Sequence, residues 1–300
     1  MTIGCRPTSI RRDWDSSDMR LWLLTALTMT AFAANSVLNR MALEDQATGP
    51  ASFAAVRLVS GAIMLVTLTM ARGGFASLRG PVRPVGPLSL AVYILGFSFA
   101  YVTLGAGVGA LILFGGVQVT MFTAAVVTGE DVPPLRWIGA GLALCGLTYL
   151  MWPTGSSAPA LSGAILMVAA AVGWGIYSLA GRGSKDPIRS TAVNFSLAAP
   201  LALVVWIAAS DSMSPVGMLL AVISGTVTSG LGYALWYSVL PDLPVAVAAV
   251  AQLTVPIIAL AGGVALLGES ATLRIAIASA MVLGGVGLSL VARQRAHPAR

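Results

Sequence analysis

The chain has 300 residues, 57% hydrophobic and 9% charged, against roughly 25% charged in soluble domains. No soluble core absorbs that excess, and the net charge of +6 lies between apolar stretches rather than on a basic face suited to nucleic acid. Continuous apolar runs, in place of period-2 alternation, argue against a β-barrel.

Residues 1–18 form a polar leader with Arg6, Arg11, Arg12, Asp13, Asp15 and Asp18 and no apolar stretch ending at a small-residue cleavage site, so no cleaved signal peptide is expected. Cys5 and Cys145 suggest neither a disulfide framework nor a Cys/His metal site. No metal or cofactor is expected.

A hydrocarbon layer about 30 Å thick takes roughly 20 helical residues to cross. Apolar runs between charged or Pro/Gly-rich breaks predict helices over 19–41, 50–71, 86–105, 107–128, 135–152, 159–181, 190–209, 215–239, 244–267 and 271–291. The predicted fold is an all-α integral membrane protein of ten transmembrane helices.

With the N-terminus inside, fourteen of the seventeen Lys and Arg residues fall on the cytoplasmic side, in clusters ending at Arg20, Arg83, Arg136, Arg189 and Arg300. Arg40 and Arg274 are left outside and Arg57 lies within helix 2, which predicts cytoplasmic termini. Trp22, Trp137, Trp152 and Trp206 sit near predicted helix ends, where indoles favour the interface.

The junction of helices 4 and 5 reads Gly129-Glu130, Leu135-Arg136 and later Gly146; that of helices 9 and 10 reads Gly268-Glu269, Leu273-Arg274 and Gly284. Ser36 through Arg40, closing helix 1, is echoed by Ser178 through Arg182, closing helix 6. Each half then holds five helices. Five is odd, so the halves enter the membrane in opposite senses, an inverted-topology pair typical of secondary transporters.

These residues resemble the drug/metabolite transporter superfamily with its EamA-type repeat of five plus five helices, over residues 19 to 291. The resemblance divides the chain into a cytoplasmic leader 1–18, a first repeat 19–152, a second, inverted repeat 153–291 and a cytoplasmic basic tail 292–300. It implies a multi-pass protein of the bacterial inner membrane, not an enzyme, with a central cavity lined by helices 1, 3, 4, 6, 8 and 9. Helices 5 and 10 would pack or dimerise. A narrower likeness, to bacterial aromatic amino acid exporters, implies a small-molecule substrate of that kind.

The residues themselves offer candidate ligands. Helix 3 carries Tyr93, Phe97 and Tyr101, helix 6 Trp174, Tyr177 and Ser178, and helix 8 Tyr233, Trp236 and Tyr237, each set on one helix face. Of these, Tyr101, Trp174, Tyr177, Ser178 and Tyr237 are expected to bind substrate, because buried phenols and indoles need polar partners that lipid lacks. The uncharged amides Asn35, Asn39, Gln118 and Gln252 join them, with Asn194 a further amide inside helix 7. Arg57, the single charge well inside a span, is expected either to attract a substrate carboxylate or to snorkel to the interface. Gly105, Gly107, Gly109, Gly115, Gly116 and Pro256 mark points of close approach or bending.

All eleven acidic residues fall in predicted termini, loops or helix ends, and the sole histidine, His297, is in the tail. Proton relays usually need such groups mid-membrane, so uncoupled, facilitative export by alternating access is expected. The alternative is a proton-coupled exporter of another metabolite or drug acting through Glu130 or Glu269. No GxxxxGK[ST] run is present for ATP. The competing classes are an integral-membrane enzyme, which would need a cluster of His, Asp, Glu or Cys at the membrane face that the sequence does not offer, and a non-transporting membrane subunit.

Overall fold

In a computed structural model, the structure describes residues 16–44, 46–73, 83–129, 132–152, 159–181, 184–243 and 245–296. Leader residues 1–15, Glu130, Arg182 and His297 lie outside the described residues.

Among the described residues every regular element is helical. The first half holds α1 (Ser16–Leu43), α2 (Pro50–Gly73), α3 (Val85–Ala100), α4 (Ala106–Val127) and α5 (Pro134–Met151). The second holds α6 (Leu161–Ala180), α7 (Pro187–Ala209), α8 (Pro215–Ile223), a π-helical segment (Ser224–Leu231), α9 (Gly232–Val239), α10 (Val245–Gln252), α11 (Thr254–Leu267) and α12 (Leu273–Ala296). Among the described residues eight stretches are long and apolar enough to cross a membrane, the α8–α9 rod counting as one from Pro215 to Asp242. α3 is a shorter apolar helix, and α5, at 18 residues, is not among the eight.

The helix starts follow from the sequence. Prolines open α2, α5, α7 and α8, where their missing N–H costs nothing. Asp186 accepts from Arg189 N at 3.0 Å at the start of α7, and Ser214 accepts from Gly217 N at 3.0 Å at the start of α8. Three predictions are corrected in detail. α3 ends at Ala100 rather than 105, because Tyr101 to Leu104 form a tight turn and Gly105 is the extended cap of α4. Predicted helix 9 breaks at Leu253, because Pro256 has no N–H for the Gln252 carbonyl four residues back. α12 continues to Ala296, past the predicted end at 291 and into the segment 292–300 expected as a basic tail.

α5 lies along α12, α2 along α7, and α3 along α6; α4 packs on both α6 and α11, and α1 on α11 and the α8–α9 rod. Glycines allow the closest approaches. A Cβ on Gly139 of α5 would strike the Gly285 carbonyl of α12, and the converse also holds. Gly225, in the π segment, leaves no space for a Cβ against the Arg57 carbonyl and Ser60 of α2.

Trp22, Trp137 and Trp152 are more than 40% exposed, as interface anchors would be. Trp206 differs, being half-buried and donating Nε1–H to the Asp211 carbonyl at 3.1 Å.

Candidate functional site

The two ends of the bundle are unlike. At the end bearing Arg40, Glu269 Oε1 accepts from Ala106 N at 2.8 Å, capping α4, and stands 3.9 Å from Arg40 Nε. Gly105 and Gly263 form the notch that admits this carboxylate, since a Cβ on either would meet it. Arg40 also donates to the Tyr101 and Val102 carbonyls. Asp211 caps α2 beside it, accepting from Ala51 N and Ser52 N at 2.8 and 3.0 Å. Two carboxylates thereby tie loops to helix N-termini, where the helix dipole favours negative charge, and this end is shut.

A cavity of about 460 Å³ runs from mid-bundle to the opposite end, reaching Gly181, Ser184 and Pro187. Its inner wall is aromatic. Trp174 stacks on Tyr177 and on Tyr233, both at 5.5 Å between centroids, and Tyr233 stacks on Tyr237 at 6.5 Å. The phenols are tied to α7: Tyr177 donates to Thr191 Oγ1 at 3.2 Å, and the Tyr237 hydroxyl lies 3.5 Å from the same oxygen, whose proton goes to the Pro187 carbonyl at 2.8 Å. Asn194, Ser190 and Gln252 supply polar atoms, and Met121 and Val117 complete the apolar side.

Beyond Trp174, Tyr233 and Gln252 lies a small chamber of about 20 Å³, room for about one water, lined also by Phe32, Asn35, Ser36, Tyr93 and Phe97. Asn35 Oδ1 accepts from Ser224 Oγ at 2.8 Å and from Thr228 Oγ1 at 2.5 Å, both on the π segment. The widened turn presents those hydroxyls and Ser229 to α1 and α2, a placement π bulges often serve.

The expected site residues therefore separate into groups. Trp174, Tyr177, Ser178, Tyr237 and Gln252 line the cavity. Asn35 lines the inner chamber, already bonded to the π segment. Asn39 is buried one turn further on, donating to Ser98 at 3.0 Å. Tyr101 is wholly buried at the shut end, donating to the Ala106 carbonyl, and lines neither space, because α3 has ended by then. Gln118 lies in a separate crevice with Arg136 and Ser289 between α4, α5 and α12, since its face of α4 turns from the cavity. Arg57 is wholly buried, so snorkelling does not occur.

α7 is a wall that the resemblance did not imply: Pro187, Ser190, Thr191 and Asn194 line the cavity. Its amide and hydroxyls at spacing three and four were the available signal.

Comparison with known proteins follows this geometry. The EamA-like transporter family model matches residues 161–291. An uncharacterized protein of Pseudomonas aeruginosa is 46% identical over 279 residues, covering 92% of this chain and 96% of its own. An uncharacterized transporter of Archaeoglobus fulgidus is 24% identical over 290 residues, covering 92% of this chain and all of its own. A crystal structure at 23% identity superposes with a TM-score of 0.63 over 89% of this chain and 98% of that one, a likeness of fold. The chain belongs to the EamA-like transporter family, within the drug/metabolite transporter superfamily. It is a multi-pass membrane transporter of small molecules.

Proposed function

We propose that this transporter is a facilitative carrier that exports neutral amino acids, aromatic ones included, or similar small metabolites, across the bacterial inner membrane. The observation that carries the reading is the cavity of about 460 Å³, closed at one end and walled by the Trp174, Tyr177 and Tyr233 stack. Its volume falls within the range of small-molecule sites, roughly 300 to 1,000 Å³. A flat apolar side chain gains about 0.5–1.5 kcal/mol per aromatic contact beyond burial. Thr191, Asn194 and Gln252 offer uncharged polar partners beside the rings.

The ten-span inverted repeat draws support from the packing. Exchanging each helix for its counterpart five along turns the α5/α12, α2/α7 and α4/α11 pairs into themselves. It also exchanges α3/α6 with α1 on the α8–α9 rod, and α4/α6 with α1/α11. Three pairs break the rule: among the described residues the counterparts of α4/α12 and α1/α2, namely α5 against α10 and α11 and α6 against α7, are not closely packed, nor is that of α1/α4, α6 against α10 and α11, where the cavity opens. One end closed and the related end open is what alternating access requires of one of its two states.

The excess of Lys and Arg supports a cytoplasmic position for the open end, where an exporter loads. The sequence puts every carboxylate at a helix end or in a loop, which favours uncoupled transport. Ligand-dependent quenching of tryptophan fluorescence in the purified protein tests the site. Neutral amino acids should quench saturably and Trp174→Phe should remove that component; an unchanged response in the variant, or none to any neutral amino acid, contradicts the site.

A further inference from the structure

We infer that Arg57 makes the inner end of the cavity an anion site, so that the molecules carried bear a carboxylate and α-amino acid zwitterions are favoured over cations. The inference rests on the carrier reading above and deepens it.

Arg57 sits on α2, wholly buried, and its hydrogen-bond partners are neutral. Ser229 Oγ accepts from Nε at 3.2 Å and the Tyr93 hydroxyl from Nη2 at 3.4 Å. The guanidinium carbon lies 5.7 Å from the Tyr93 ring centre and 5.1 Å from that of Phe97. Nη1 has no partner among the described residues. Hydroxyls and ring faces offset only part of the cost of a cation held away from water. A bound anion offsets more, so the site favours ligands that bring one.

The geometry also supplies a route. Tyr93 and Phe97 both line the inner chamber and both rings lie against the guanidinium. Because the Tyr93 oxygen accepts from Arg57, its own O–H remains a donor for a ligand, and a neighbouring cation strengthens that donor. Arg57 therefore acts as a positioning residue, by its field and through Tyr93.

L-phenylalanine, its uncharged-acid analogue L-phenylalaninamide and the deaminated 3-phenylpropionate separate the charges on one ring. Binding is read as thermal stabilisation of the full-length protein in detergent, and transport as counterflow in liposomes. Phenylalanine should bind at least tenfold more tightly than the amide, with phenylpropionate between them. Arg57→Lys should keep the preference for acid over amide and Arg57→Gln should abolish it. The ligand series on the unaltered protein stands even where Arg57→Gln does not fold. Equal binding of acid and amide, binding of none of the three, or a preference unchanged in a folded Arg57→Gln would overturn the assignment. Preferential acid binding without counterflow would support Arg57 and contradict the carrier reading alone.

Discussion

Arg40 and Glu269 meet across the shut end of the bundle at 3.9 Å, joining the end of α1 to the loop before α12 while the same carboxylate caps α4. An ion pair this long and partly exposed contributes little alone. The cap adds to it, because Glu269 also accepts from the first N–H of α4.

Glu269→Gln should therefore weaken closure by about 1 kcal/mol and shift population toward the state open at this end. In a background lacking Cys5 and Cys145, Leu104→Cys, buried at this end, reports the shift. Its labelling by a membrane-impermeant maleimide should rise severalfold with Glu269→Gln. Unchanged labelling would mean that the pair does not hold the gate.

Trp174→Ala should raise the half-saturation concentration for an aromatic substrate by tenfold or more, from about 1.5–3 kcal/mol of lost stacking and burial. Trp174→Phe should recover much of it. Counterflow at varied substrate concentration separates these, and equal losses in both variants would point to the indole N–H rather than the ring.

Tyr177→Phe removes the hydroxyl that donates to Thr191. Losing a buried bond of about 1 kcal/mol should lower the melting temperature by a few degrees, and a matching weakening of affinity would show that the bond also holds Thr191 in place for substrate. A large fall in melting temperature would instead make the Tyr177–Thr191–Tyr237 chain a packing feature of α6, α7 and α9.

Pro256→Ala restores the N–H that the Gln252 carbonyl lacks and should heal the break between α10 and α11. The protein should melt higher, while maximal transport should fall severalfold if bending at Leu253 accompanies the change of state. Faster transport in the variant would contradict the break as a moving part.

Helix order was legible because lipid enforces long apolar runs and prolines mark their starts: Pro134, Pro187 and Pro215 each begin a helix. The aromatic wall was legible in part, since Trp174, Tyr177 and Tyr237 reveal shared faces by spacing alone. Spacing could not say which way a face turns, so Gln118 was grouped with Gln252 although α4 directs it toward α5 and α12. Tyr101 was misplaced because an apolar run continues past the point where the chain turns. The π segment was invisible: its Ser, Thr and Gly residues read as a weak helix, and only their contacts with Asn35 and Arg57 explain the widened turn.

The central claim is that this chain alone carries neutral amino acids, aromatic ones included, through the aromatic cavity without an ion gradient. The direct measurement is counterflow of radiolabelled phenylalanine into liposomes holding only the purified protein and unlabelled phenylalanine, with no pH gradient, set against the same liposomes bearing an imposed one. The account predicts transient accumulation of label that Trp174→Ala shifts to at least tenfold higher phenylalanine concentration and that a pH gradient does not drive further. Accumulation only under a pH gradient would contradict facilitative transport, and no exchange under either condition would contradict the carrier assignment for this substrate class.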